Sequence, residues 1–139
     1  MEASPTIPGW PSGVREISIR SSYDGADQPA LTYTPDTAEA RPLLVALHTW
    51  SFDYLQPESA PYAEWCQAHG WHLIHPDFRG PNQRPEAGGS PQAQQNILDA
   101  VAYCRAHGNI DPRRIYLVGV SGGGYASLLM ARTAPSIWA

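Results

Sequence analysis

Lysine is absent from this 139-residue chain, and its nine basic residues are arginines scattered along the sequence. Against 13 acidic residues they leave a net charge of -4. Nucleic acid and anionic membrane surfaces need clustered cations, so neither is an expected partner. No apolar run approaches the ~20 residues that cross a bilayer. The opening MEASPTIPGWPSG has neither a basic start nor an apolar stretch. It shows no secretory signal, and a cytoplasmic protein is expected. Cysteine is also scarce: Cys66 and Cys104 stand alone, and the His and acidic residues do not fall at ligand spacing, so no metal or other cofactor is expected.

What is present is the composition of a globular domain, 42% hydrophobic and 16% charged. Residues 1–13, with Pro5, Pro8, Pro11, Gly9 and Gly13, form an irregular lead-in, and 14–139 read as part of a single domain. Val14, Ile17 and Ile19 alternate with polar residues, which predicts a half-exposed strand ending at the Asp24-Gly25 turn. A second short strand follows over 28–36. Leu43 to Leu47 are consecutively apolar, the pattern of a central parallel strand covered on both faces.

Residues 58–70 place Ala60, Ala63, Trp65, Cys66 and His69 at helical spacing, with Gly70 as the C-terminal cap. A strand over 71–78 is broken by Pro76, and the Gly/Pro-rich loop 79–92 is long enough to suggest function. Ser90 caps a helix over 91–107. A buried strand over 115–120 and a helix over 123–135 complete the order β-β-β-α-β-α-β-α. Such alternation predicts an α/β fold with a mainly parallel sheet and helices on both faces. The helices bearing Cys66 and Cys104 then lie on opposite faces, so no disulfide is expected.

Gly119-Val120-Ser121-Gly122-Gly123 fits G-x-S-x-G, placed where a strand turns into a helix. There the serine takes a strained conformation, and residues two before and two after it must be small. Ser121 is the candidate nucleophile. The Gly122 N–H, at the helix start, is a candidate oxyanion donor. A phosphate-binding reading fares worse. A P-loop needs a lysine, and a dinucleotide fingerprint from Gly122 and Gly124 finds Ser127 in place of its third glycine.

Three stretches, LLVALHTW (43–50), HPDFRG (75–80) and NIDPRRIYLVGVSGGGYAS (109–127), make the chain resemble the N-terminal half of an α/β-hydrolase. Within that superfamily it most resembles the prolyl oligopeptidase group of serine peptidases and related esterases, over residues ~14–137. The resemblance implies a Ser-Asp-His triad and an acyl-enzyme on Ser121, formed from a small-molecule ester or peptide substrate. In that fold the acid and histidine follow the serine, and no Asp, Glu or His follows Ser121 here. A chain cut after the elbow helix, needing its C-terminal half and inactive alone, is the expectation. The alternative is a non-catalytic α/β binding module or pseudoenzyme.

Where the family often has His-Gly-Gly, this chain has His48-Thr49-Trp50. By position relative to His48, the Trp50 N–H becomes the candidate second oxyanion donor. His48 is a candidate pocket residue, or a structural one bonding to loop backbone. Arg79 either borders the pocket or pairs with a carboxylate. His75 either faces the site mouth or packs a loop, His69 and His107 cap their helices, and Tyr125 is expected in the core.

Overall fold

The computed structural model describes residues 5–139; residues 1–4 of the lead-in lie outside the described residues. The elements run β1 (Arg15–Arg20), β2 (Asp27–Tyr33), β3 (Arg41–Leu47), a 3-10 turn (Pro57–Ser59), α1 (Ala60–His69), β4 (His72–Pro76), α2 (Pro91–His107), β5 (Ile110–Gly119) and α3 (Gly122–Thr133). They build one five-stranded sheet in the order β1-β2-β4-β3-β5. β3 pairs in parallel with β4 and β5, whereas β1–β2 and β2–β4 are antiparallel. The sheet is thus mixed, and its parallel part carries the site.

Between β4 and β5, β3 is covered on both faces, and its side chains alternate between two cores. Leu43, Val45 and Leu47 enter the core shared with α2 and α3, among Ile97, Val101, Ile115 and Met130. Ala46 enters the other core, beneath α1, among Ala63, Cys66 and Leu73. The chain steps one way from β3 to β4 and back past β3 to β5, so right-handed crossovers put α1 and α2 on opposite faces. Cys66 and Cys104 accordingly sit in different cores, both as free thiols.

Local chemistry sets the helix ends. Gly70 caps α1 with φ 67°. Ser90 Oγ accepts the Ala93 N–H at 3.0 Å, a cap contributing about 1 kcal/mol. His69 and His107 each place Nδ1 on the carbonyl oxygen four residues back, Trp65 O at 2.8 Å and Tyr103 O at 2.9 Å. Each also stacks on that residue's ring, with centroids 4.0 Å apart.

Two expectations are corrected. β5 starts at Ile110 rather than Ile115. Asp111 accepts from Arg113 N at 3.0 Å and Arg114 Nε at 2.8 Å, and this holds the Asp-Pro stretch extended through a register shift against β3. The residues from Tyr116 to Gly119 are half-buried rather than buried, because β5 is the outermost strand. The irregular lead-in is anchored: Trp10 is buried against His75, and its Nε1 donates to Leu55 O at 3.1 Å. Among the described residues no helix is long and apolar enough to cross a membrane.

Candidate active site

Leu47 and Gly119 are register partners, so β3 and β5 release their next residues side by side at the C-terminal edge of the sheet. Ser121 sits in that turn two residues beyond the end of β5, as the N-cap of α3, exposed, with φ 55° and ψ -119°. A non-glycine residue held there stores roughly 1–3 kcal/mol of backbone strain. The glycines around it permit the conformation. A Cβ on Gly119 would overlap the Gly123 carbonyl and come within 2.9 Å of Gly123 Cα. One on Gly123 would overlap Leu47 O and come within 2.9 Å of His48 O. The helix start is thus seated directly on the end of β3.

The same contact brings Gly122 to Trp50. A Cβ on Gly122 would overlap the Trp50 indole and lie 2.7 Å from Trp50 N. Among the described residues neither the Gly122 N–H nor the Trp50 N–H meets an acceptor. Ser121, Gly122 and Trp50 are therefore neighbours, with two free N–H groups beside the exposed serine.

Backbone and side-chain bonds hold the Trp50 loop. Gln56 Oε1 accepts both the Thr49 N–H and the Thr49 hydroxyl at 2.9 Å. His48 is buried, its ring nitrogens 2.7 Å from Thr49 O and 2.7 Å from Asp77 O, and it stacks on Phe78 at 4.2 Å. Its side chain belongs to the loop's support and not to a pocket wall, because the ring is buried between two backbone carbonyls and can donate to one of them.

Arg79 does not line the cleft either. It is 6% exposed and bonds bidentately to Asp24 at 2.7 and 2.9 Å, to Asn96 Oδ1 at 2.6 Å and to Ser21 Oγ at 3.2 Å. The Arg79 hydrogen bonds hold the Asp24 carboxyl down at about 2. His75 is fully buried rather than at the site mouth, with Nδ1 2.7 Å from Tyr54 O and Nε2 without a partner. Burial pushes its imidazole down to about 3. Burial likewise raises the Asp77 carboxyl.

Against Val120, the residue before Ser121, lies a cleft of about 320 Å³, the size of a small-ligand site. Leu47, Phe52, Tyr62 and Val120 give it apolar walls, and Gln56 and Glu58 add polar groups. Tyr125 is exposed rather than in the core, its ring 5.3 Å from the Trp50 indole. Phe52 and Val120 were not singled out from sequence, and Tyr125 was expected in the core. In the sequence they look like ordinary core residues, and only the loop geometry turns them outward.

A serine elbow on a parallel β3–β5 pair, with helices on both faces, defines an α/β-hydrolase fold. Comparison with solved structures agrees. A thermostable esterase superposes with a TM-score of 0.70 at 21% identity, covering 91% of this chain and 39% of its own. S-formylglutathione hydrolase from Staphylococcus aureus gives 0.74 at 18% identity, covering 91% and 54%. A bacterial heroin esterase gives 0.65 at 26% identity, covering 98% and 44%. Among curated proteins, poly(3-hydroxyalkanoate) depolymerase C of Paucimonas lemoignei is 27% identical over 107 residues, 70% of this chain and 26% of that protein. No family model matches the chain. The chain spans about a quarter of the curated relative's length and from 39% to 54% of these three structures.

Proposed function

We propose that this chain carries the nucleophile and the oxyanion hole of a serine hydrolase that cleaves ester bonds, and that residues outside this sequence supply the acid and the histidine. The observation that carries the reading is the exposed, strained Ser121 set beside the unpaired N–H groups of Gly122 and Trp50. In the reaction Ser121 Oγ attacks the ester carbonyl carbon while its proton passes to the histidine. The carbonyl oxygen becomes an oxyanion between the two N–H donors. Collapse expels the alcohol, which takes the proton, and leaves an acyl-enzyme that water hydrolyses to the acid.

The cleft beside Val120 suits an apolar acyl or alcohol group of modest size. Esters are favoured over peptides because the similar structures are esterases and the curated relative is a depolymerase of a polyester. Prolyl oligopeptidase-like cleavage of peptides is the second reading, supported by the 109–127 run. Both are tested by turnover of matched p-nitrophenyl ester and peptide p-nitroanilide substrates, with the protein carrying its C-terminal continuation. Ester turnover should dominate, and Ser121→Ala should lower it by on the order of 10⁶-fold. Ester turnover unaffected by Ser121→Ala would overturn the assignment.

A further inference from the structure

Phe78, Arg79 and Gly80 are three consecutive residues in the left-handed region, with φ 33°, 80° and 72°. Glycine adopts this conformation freely, whereas Phe and Arg do so only when held. The holding groups are visible. Arg79 N–H donates to Gln28 Oε1 at 3.1 Å, and Arg79 O accepts from Arg84 Nη2 at 3.0 Å. The Arg79 guanidinium is gripped by Asp24, Asn96 and Ser21, of which Asn96 and Ser21 also bond each other at 2.8 Å.

The turn faces the oxyanion loop. Asp77 O lies 2.7 Å from His48 Nε2, and the Phe78 ring stacks on the His48 imidazole. Asn82 N–H donates to Trp50 O at 2.8 Å, and Asp77 Oδ1 accepts the Tyr54 N–H at 3.2 Å. His48 Nδ1 then lies 2.7 Å from Thr49 O, which also accepts the Phe52 N–H at 3.3 Å. Thr49 O and Trp50 N–H belong to one trans peptide and point in opposite directions. Holding that carbonyl between the Phe52 N–H and the His48 ring therefore aims the Trp50 N–H.

We propose that Arg79 is the positioning residue of the oxyanion hole: its buried guanidinium locks the left-handed turn 78–80, which fixes His48 and, through the Thr49–Trp50 peptide, the second donor. The assignment rests on the hydrolase reading above. Arg79 touches no substrate and acts only through the turn. The planar fork is what the site uses, since it bonds a carboxylate in two places and an amide in a third; a lysine at this position keeps the charge and loses the geometry.

The test uses Arg79→Lys and, should that variant fold poorly, Asp24→Asn at the half-exposed end of the ion pair, both in the ester-cleaving protein and below their melting temperatures. In Arg79→Lys, kcat should fall by about 10²-fold, the cost of losing one oxyanion donor, with KM within about twofold. A trifluoromethyl ketone, which binds as an oxyanion, should weaken in step with kcat; Asp24→Asn should shift both in the same direction. Hydrogen exchange of the Asn82 amide, read without turnover, should quicken while exchange in β3 stays constant. A lowered melting temperature with unchanged kcat and unchanged Asn82 exchange would make Arg79 merely structural and overturn the proposal. A wild-type protein that turns over no ester at Ser121 would instead remove the hydrolase reading and the proposal with it.

Discussion

His75 shows how one buried side chain ties stability to pH. The unfolded imidazole takes a proton near 6.5, whereas burial, opposed by the Tyr54 carbonyl and reinforced by His48, holds the folded one neutral down to about 3. Between those values the unfolded chain binds more protons, so stability falls as pH drops through the window. The slope approaches about 1.4 kcal/mol per pH unit for one proton. Urea midpoints should decline from pH 6.5 towards 4, and His75→Gln should flatten the decline; His72, also lowered by burial, leaves a residual slope. Equal slopes in both proteins would contradict this account. Asp24 acts lower on the scale, its contribution present above 3.8 and lost as pH falls to about 2. The strand-to-helix turn at Ser121 and Gly122 was legible in the sequence because spacing around a glycine cluster encodes it, whereas Trp50 was picked out only by its position relative to His48 in the family resemblance. The burial of His75 and Arg79 was not, because their partners Tyr54 and Asp24 are brought to them only by tertiary packing.

At the scale of elements, periodicity and caps carried most of the information. Ser90, Gly70 and Gly108 stand at helix ends as their chemistry requires. β5 was half legible: Ile115 onward reads as strand, but Ile110 to Arg114 read as a turn. The Asp111 bonds that keep that stretch extended involve Arg113 and Arg114, and no local pattern announces them. Tyr125, one turn into α3, sits at a position expected to be buried, yet its face of the helix meets Trp50 and not the sheet. The cysteines follow their helices. Cys66 under α1 and Cys104 in α2 are buried on opposite faces, and burial pushes both thiols up to about 12. A disulfide-exchange reagent should find them inert in the native chain and count two free thiols after denaturation. A denatured chain showing none would overturn the topology.

For the whole molecule, the architecture brings the elbow and the Trp50 loop together at one edge of the sheet. The sheet supplies the elbow on β5 and the donor loop on β3, but no Asp, Glu or His follows Ser121. Every histidine before it is committed elsewhere: His48 and His75 are buried on backbone carbonyls, His72 is buried in β4, and His69 and His107 close helices. The outer side of β5 is open, with a groove of about 570 Å³ bordered by Tyr116, Leu128 and Trp138, and Ala139 N–H already donates to Ile115 O at 2.9 Å. The central claim, a nucleophile and oxyanion hole awaiting an acid and a base, is tested most directly by the rate of fluorophosphonate labelling at Ser121, located by peptide mass spectrometry. Labelling should be slow or absent in the 139-residue chain, and fast and stoichiometric at Ser121 in a protein extended by its C-terminal continuation. Fast labelling of the 139-residue chain, or none at Ser121 in the extended protein, would contradict it.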